Sequence, residues 1–592
     1  MRHLLAFICL LPLVSWVTAA DYYEQLNLRP LPLSALLASF NFRSNTSFYD
    51  FESHNFRYFP RSLGQILQHA GTRELHLRFS LGRWDAESWG TRPWEGQREG
   101  GTGVELWAWL ESESDEEADE KWLILTNALS GLFCASLNFV DGTRTTRPVM
   151  SFQPEGDHPT SSIPNLRLLH GVLPKEVVCT ENLTPFLKLL PCKGKVGVST
   201  LLDGHKLFDS AYQSMAIDVK PICPEDGDCV LEIEQTIDMV LDIERSQRPQ
   251  EIPRPPPSRD LKCDTSKPYH APNTCFPLGY NASQEWSLSQ VFGHPMKGTC
   301  PLTDPEIPPV CIQVPHSRSV YTSAGVHQMK NADGRSRCFT FDSEGDFDII
   351  LPAPDADDTG EIIANTTTTM TTTDDELIKS PTPLIYAERS LMGHGQERGG
   401  VQTILTNPSQ DTEVEFIYME SLPWFMRVYL HTLNARLEGS RGKAQPAMIE
   451  DIYYRPAVDR ARGTQLELRM RIPPASTVFL TYDFEKTILR YTEYPPDANR
   501  GFDVAAAVIT TVRPRVQSVR TTTLLLNLPV PDFSMPYNVI IFTSTAIALA
   551  FGGMYNILVR RLVAADEAPS RLARAKLGKL IEKFRSRKST RK

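Results

Sequence analysis

The constraint that most limits this chain is the run from Tyr537 to Val559, 23 consecutive residues without a charge. Hydrocarbon offers no partner for a bare peptide group, so a run like this crosses a bilayer only as a helix. As a helix it spans about 34 Å, against a hydrocarbon core of about 30 Å. Arg560 and Arg561 follow at once, and from Arg560 to Lys592 there are 12 Lys+Arg against 3 Asp+Glu, a balance of +9. Positive flanks stay cytosolic, which predicts that residues 560–592 form a basic cytosolic tail. The opening "MRHLLAFICLLPLVSWVTAA" has a basic start, an apolar stretch and small residues near Ala19, so residues 1–20 are expected to be a signal peptide. Together the two ends predict a type I membrane protein whose bulk lies on the luminal or outer side.

Chemistry between the ends agrees. Asn-x-Ser/Thr sequons at Asn45, Asn182, Asn281 and Asn365 all fall on the predicted luminal side. Eleven cysteines, ten of them beyond Cys9, point to an oxidising compartment with disulfides. Local pairs such as Cys223 with Cys229 and Cys263 with Cys275 are plausible, and spacing alone leaves the connectivity open. A net charge of −10, despite the basic tail, argues against nucleic acid as a partner.

Apolar and polar residues alternate in "ELHLRFSLG", "TQLELRMRI" and "STVFLTYDF", the signature of half-buried antiparallel strands. Helical signals are fewer: "PRSLGQILQHAG" puts Leu63, Ile66, Leu67 and Ala70 on one face between Pro60 and Gly71. The fold class expected is mainly β: an antiparallel, β-sandwich-rich luminal region with a few helices and one C-terminal transmembrane helix. Compositional breaks divide it into a lobe at 21–250, a Pro/Thr-rich linker and insert at 251–376, a second lobe at 377–536 and the span at 537–559. The acidic run "ESESDEEADE" (Glu111 to Glu120) reads as a solvated loop rather than a metal site.

A luminal hydrolase should display a nucleophile with its base, or a metal constellation. The sequence holds no G-x-S-x-G elbow, H-E-x-x-H, paired C-x-x-C or phosphate loop, and no catalytic residue, cofactor or metal is expected. His205, between Asp203 and Asp209, reads as a surface turn residue. Six tryptophans from Trp84 to Trp122 could form a carbohydrate-stacking surface, but packing is the favoured reading. Within the span, Ser544, Ala548, Gly552 and Asn556 recur every four residues and leave a small or polar stripe for a neighbouring helix. In the tail, Leu577, Leu580, Ile581 and Phe584 share a helical face amid Lys and Arg, suited to an anionic membrane surface.

Several blocks together resemble one family, the PIG-T subunits of the glycosylphosphatidylinositol (GPI) transamidase complex. They are "RELHLRFSLGRW" (Arg73 to Trp84), "GLFCASLNFVD" (Gly131 to Asp141), "PKEVVCTENLTPFLKLLPC" (Pro174 to Cys192), "LPWFMRVYLHTL" (Leu422 to Leu433), "YTEYPPDANRGF" (Tyr491 to Phe502) and "NLPVPDFSMPYN" (Asn527 to Asn538). The resemblance implies a non-catalytic subunit of an endoplasmic-reticulum membrane complex. That complex attaches GPI anchors to proproteins, with its nucleophile in a separate caspase-like chain. It also implies an intersubunit disulfide through Cys179, with an internal Cys179–Cys192 bridge as the alternative. The odd count then leaves one thiol single, and Cys134, in an apolar block, is expected to be that buried thiol.

At the membrane edge, the resemblance implies contact with the GPI lipid through Asn499, Asp532, Ser534 and Asn538. Their carboxylate, hydroxyl and amide groups suit sugar hydroxyls and an ethanolamine ammonium. An ordinary helix start, with Ser534 as cap and Tyr537 as interfacial anchor, is the plainer account of the same residues. Rivals from other classes are a cell-surface glycan-binding or adhesion ectodomain and a luminal hydrolase with an unrecognised triad.

Overall fold

A computed structural model describes residues 22–32, 34–159, 163–223, 228–247, 262–263, 275–276, 285–304, 307–315, 318–323, 326–330, 336–341, 345–352, 381–393, 395–439, 448–495, 497–530, 534–559, 579 and 583. The first lobe is built on eight long-range-paired strands: β1 (Tyr22–Leu31), β2 (Ala35–Ser47), β3 (Thr72–Gly82), β4 (Gly103–Glu111), β5 (Thr145–Thr146), β6 (Leu166–Leu173), β7 (Tyr212–Ile222) and β8 (Val230–Asp242). They lie in the order β1-β2-β8-β7-β3-β4-β6-β5, and three later strands extend the sheet beyond β1 to eleven. Neighbours are antiparallel except where Val310–Gln313 runs parallel to β1, pairing Leu26 with Val310. The described stretch between 286 and 351 therefore supplies edge strands to this sheet, and its Trp286, Phe292, Ile312 and Phe347 enter the same core.

The predicted alternation places Leu75, Leu77 and Phe79 of β3 on one face, where they are buried against helices. Arg61–His69 buries Leu63 and Leu67 there, as the spacing required. Asp115–Phe133 contributes Trp122, Leu125, Leu129 and Phe133. That helix corrects the reading of the acidic run as a loop. Ser114 caps its start by accepting from Glu117 N–H at 3.2 Å, and Asp115, Glu116 and Glu117 occupy its first turn. Carboxylates there meet the positive end of the helix dipole, so an acid-rich stretch becomes a helix start.

The opposite face of the sheet differs more. Strands like β3 were expected to expose Glu74, His76 and Arg78, yet all three are fully buried. Strand register lines the polar residues up: Arg43 faces Glu234, Glu234 faces Asp218, and Asp218 faces His76. The row continues through Trp107 and His170 to Thr146. His76 meets Asp218 Oδ1 at 2.5 Å and Glu74 Oε1 at 2.7 Å. Arg78 donates to Asp218 at 2.6 Å, and Arg98 to Glu234 at 2.6 Å. The Trp107 ring stacks on His76 with centroids 4.9 Å apart, while the Arg78 guanidinium lies 4.7 Å over it. Charges this deep are tolerable only because each carboxylate is paired and hydrogen-bonded.

The second lobe is a sandwich. One sheet orders Tyr386–Met392, Arg398–Asn407, Ser476–Lys486 and Met426–Leu437; the other orders Ile449–Arg455, Thr464–Ile472, Val414–Leu422, Val508–Arg513 and Ser518–Arg520. Val401, Phe416, Leu468 and Leu480 fill the space between them. The expected mainly-β, sandwich-rich fold is what the chain adopts. Glu467 reaches the first lobe, accepting N–H groups from Val149, Met150 and Ser151, each at 2.8 Å. Arg520 likewise crosses, 3.4 Å from Glu105.

Residues 529–592 form a separate compact unit, whose helix Ser534–Val559 contains the predicted span Tyr537–Val559. Thr543 and Thr545 satisfy their hydroxyls on the carbonyls of Val539 (2.7 Å) and Ile541 (2.8 Å), the usual solution inside an apolar helix.

Burial alone would push the His76 imidazolium down, but the charge of Glu155 and the bonds to Asp218 and Glu74 outweigh it and lift His76 to about 9. The free imidazole titrates near about 6.5, so its contribution is complete below that pH and vanishes as pH rises through about 9. Glu24 and Asp238, each raised to about 7 chiefly by burial, act lower, weakening the fold as pH climbs from about 4 to 7. In equilibrium unfolding, the full chain is expected to lose about 3 kcal/mol between pH 6.5 and 9 through His76. In His76→Gln the same window should keep only the smaller decline left by Glu24 and Asp238, about half as steep, and an equally steep limb in that variant would show the charge lies elsewhere.

Candidate docking corner and membrane-edge residues

Cys179 is the N-cap of the helix Thr180–Leu189, a position fixed by the turn after β6 and by the apolar face Leu183, Phe186 and Leu189. It is half-exposed and forms no disulfide. The internal alternative is excluded, because Cys192 pairs with Cys300. Cys223 joins Cys229 as expected, Cys311 joins Cys338, and Cys263 stands opposite Cys275 in a two-stranded ladder.

Cys134 is free, but it is exposed rather than buried. The reason is local: Phe133 is the last core residue of its helix, and Cys134 terminates that helix in the left-handed region at φ 52°. The chain turns outward there, carrying the thiol with it.

Asn182 ties these two ends together. Its Oδ1 accepts the Cys179 N–H at 2.9 Å, and its Nδ2 donates to the carbonyls of Phe133 at 2.9 Å and Cys134 at 3.4 Å. The side chain is 2% exposed with its amide nitrogen fully committed, so a glycan on Asn182 is incompatible with this packing. The Asn182 of the expected sequon serves as a clamp in this packing. Val177, two residues before the thiol, is exposed at 77%, and Phe139, in the turn Ser136–Phe139 that Ser136 N–H ties to Glu176 at 2.8 Å, at 63%.

The other site residues are distributed. Asn45 is half-buried on β2, opposite Glu232, while Asn281, Asn365 and Asp532 lie outside the described residues. Asn499 is exposed in the 3-10 turn Ala498–Arg500, within the unit that ends at Leu528. Ser534 opens the membrane helix and Asn538 is exposed one turn later, so the two share a helix face in the unit that begins at Pro529. His205 is exposed, but it lies in the short helix Gly204–Phe208 rather than a turn, its N–H bonded to the N-cap Asp203 at 2.6 Å. Trp84, Trp107 and Trp122 are buried, so the tryptophan cluster packs rather than displays. Among the described residues no three His, Cys, Asp or Glu side chains group as a metal site.

Sequence reasoning missed the buried polar row. The available signal was the ionisable triplet Glu74, His76 and Arg78 at alternate positions; on a solvated face these would not need the partners they have. Burial favours the neutral forms of Glu74, Asp218 and Glu105, but the histidine and arginine partners hold all three carboxyls well below the ordinary range. Glu74, Asp218 and Glu105 are thus held as carboxylates by partners on neighbouring strands and loops.

Comparison with known proteins gives a consistent picture. The family described as "Gpi16 subunit, GPI transamidase component" matches residues 6–585. The Saccharomyces cerevisiae "GPI transamidase component GPI16" is 41% identical, covering 96% of this chain and 94% of that protein. The human "GPI-anchor transamidase component PIGT" is 31% identical, covering 95% of this chain and 94% of its own. Among solved structures, the collagen-binding subdomain of the Enterococcus faecalis surface protein ACE matches 25% of this chain and 100% of its own, at 10% identity and a TM-score of 0.17. At that score the likeness carries no argument.

Mass mapping after enzymatic removal of N-glycans should find the Asn182 peptide unmodified. A deamidated Asn182 would mean that the helix start can form without the three bonds described. Asn182→Ala should cost about 2–3 kcal/mol in unfolding measurements, since the buried Phe133 carbonyl, the part-buried Cys134 carbonyl and one N–H lose their partner together.

Proposed function

Because this chain belongs to the Gpi16 family of GPI transamidase components, we propose that it is the non-catalytic subunit that tethers a caspase-like catalytic chain and helps hold the GPI lipid while anchors are joined to proproteins. The observation that carries the reading is Cys179: unpaired and half-exposed in a chain whose other described disulfides close internally. A covalent tie through that thiol makes docking effectively intramolecular, so the catalytic chain stays at high local concentration whatever the strength of the remaining contacts. The apolar Val177 and Phe139 give such a partner something to cover.

The C-terminal helix, 23 residues of which are long and apolar enough to span, fits a membrane-anchored protein. We place the luminal bulk in the endoplasmic reticulum and the basic tail in the cytosol, where the +9 balance favours an anionic leaflet. GPI keeps its acyl chains in the bilayer and its glycan just above, the height at which Asp532, Ser534 and Asn538 adjoin the span. Asn499 completes the set in this reading. Carboxylate, hydroxyl and carboxamide together offer the acceptors and donors that sugar hydroxyls and an ethanolamine ammonium require. The chemistry of bond exchange belongs to the partner; this chain positions its substrates.

Cys179→Ser is expected to abolish a high-mass species on non-reducing gels while the complex still co-purifies more weakly. An unchanged gel removes the tether. Asp532→Ala combined with Asn538→Ala should leave assembly intact but reduce anchoring at least tenfold, read as accumulation of unanchored precursor in cells. Normal anchoring in that variant would take the membrane-edge site out of the reading.

A further inference from the structure

A cleft of about 1080 Å³ lies between the two lobes. Small-molecule sites usually hold about 300–1000 Å³, so the space suits something longer. One wall carries Trp84 and Tyr212, packed edge to face at 5.3 Å. Thr521, Thr522 and Thr523 form another. Four arginines and four carboxylates line it in all, a balance that selects neither an anion nor a cation.

Its remaining border is a strand edge. Tyr386–Met392 is the outermost strand of its sheet, and its residues Tyr386 to Arg389 line the cleft. Just before it the backbone bonds to neighbours at two points: Pro381 accepts the Thr91 N–H at 2.9 Å, and Leu384 donates to Gln517 at 2.9 Å. From Tyr386 onward that engagement stops, and among the described residues the outer backbone groups meet no partner. The strand holds neither proline nor lysine, the usual means of blunting an open edge. At the mouth, Arg83 and Glu388 pair across the lobes at 3.2 Å with side chains 67% and 61% exposed, a contact weak enough to open readily. The buried Glu467 and Arg520 links keep the walls in place meanwhile.

We propose that this cleft receives an extended segment of the proprotein, which adds as a strand to the edge Tyr386–Met392. Seven residues of edge offer about 23 Å of ladder. Main-chain pairing reads backbone rather than side chains, so a site of this kind accepts segments of differing sequence, and a charge-balanced wall imposes no strong preference. The inference rests on the proposed role in anchor attachment and names where that role handles the polypeptide.

The test uses the purified complex with a precursor protein bearing a C-terminal anchor signal. A photoreactive benzoylphenylalanine replaces Glu388, or Glu52, an exposed position outside the cleft. Irradiation should give a precursor adduct from position 388 and not from 52, and Thr522→Trp, which fills the cleft, should suppress it at least tenfold in a complex of unchanged size. A ten-residue peptide copied from the adduct site should displace the precursor, while the same peptide N-methylated at alternate residues should not. Adducts only with another subunit or with lipid, or equal displacement by both peptides, would overturn the proposal. Should Thr522→Trp disturb assembly, the position 388 adduct and the peptide pair still decide. Loss of anchoring in the Asp532/Asn538 variant without any precursor adduct at 388 would sink the cleft while leaving the proposed function standing.

Discussion

Everything in the first lobe depends on keeping one row of charges both buried and paired. Glu234, Asp218 and His76 face one another across three adjacent strands, and Arg78, Arg98 and Glu74 close the remaining valences. A slip of one residue in any of these strands would turn its member of the row to the apolar face and leave its partners unpaired in a dry interior. The row therefore specifies register more strictly than an alternating apolar face alone would do. It also demands a roof, supplied by the segment carrying Arg98, by Glu155 and His158, and by Arg520 from the second lobe.

That roof is why the lobes are bound by polar contacts. Glu467 holds three successive N–H groups of the segment roofing the row, and Gln465 clasps Arg147 beside it, accepting its N–H at 3.2 Å and donating to its carbonyl at 2.8 Å. Directional bonds fix orientation where apolar packing would allow sliding.

Legibility varied with the range of the interaction. Alternation in "ELHLRFSLG" identified β3, and Pro60 and Gly71 bracketed the helix Arg61–His69, because both patterns are written within a dozen residues. The same alternation misjudged the environment of Glu74, His76 and Arg78, since what covers a strand face comes from distant sequence. The acidic run misled because composition was weighed without its cap: Ser114 before three acids is a helix start as readily as a loop. Asn182 matched a glycosylation triplet, yet its amide serves as a structural clamp, a role set by Phe133 and Cys134 some fifty residues earlier.

The sequence by itself determined the long apolar helix, the presence of disulfide-forming cysteines and the strand-rich class. Each follows from local composition or period, and resemblance in ordered blocks pointed to the family. The tertiary structure alone decided which thiols stay free, because pairing Cys192 with Cys300 needs two segments 108 residues apart to meet. It alone decided, too, that a polar sheet face would be sealed by a second lobe and that an open strand edge would border the cleft between them. Periodicity reports which way a side chain points. Only the long-range fold settles what it meets, and burial and pairing energies depend on that meeting.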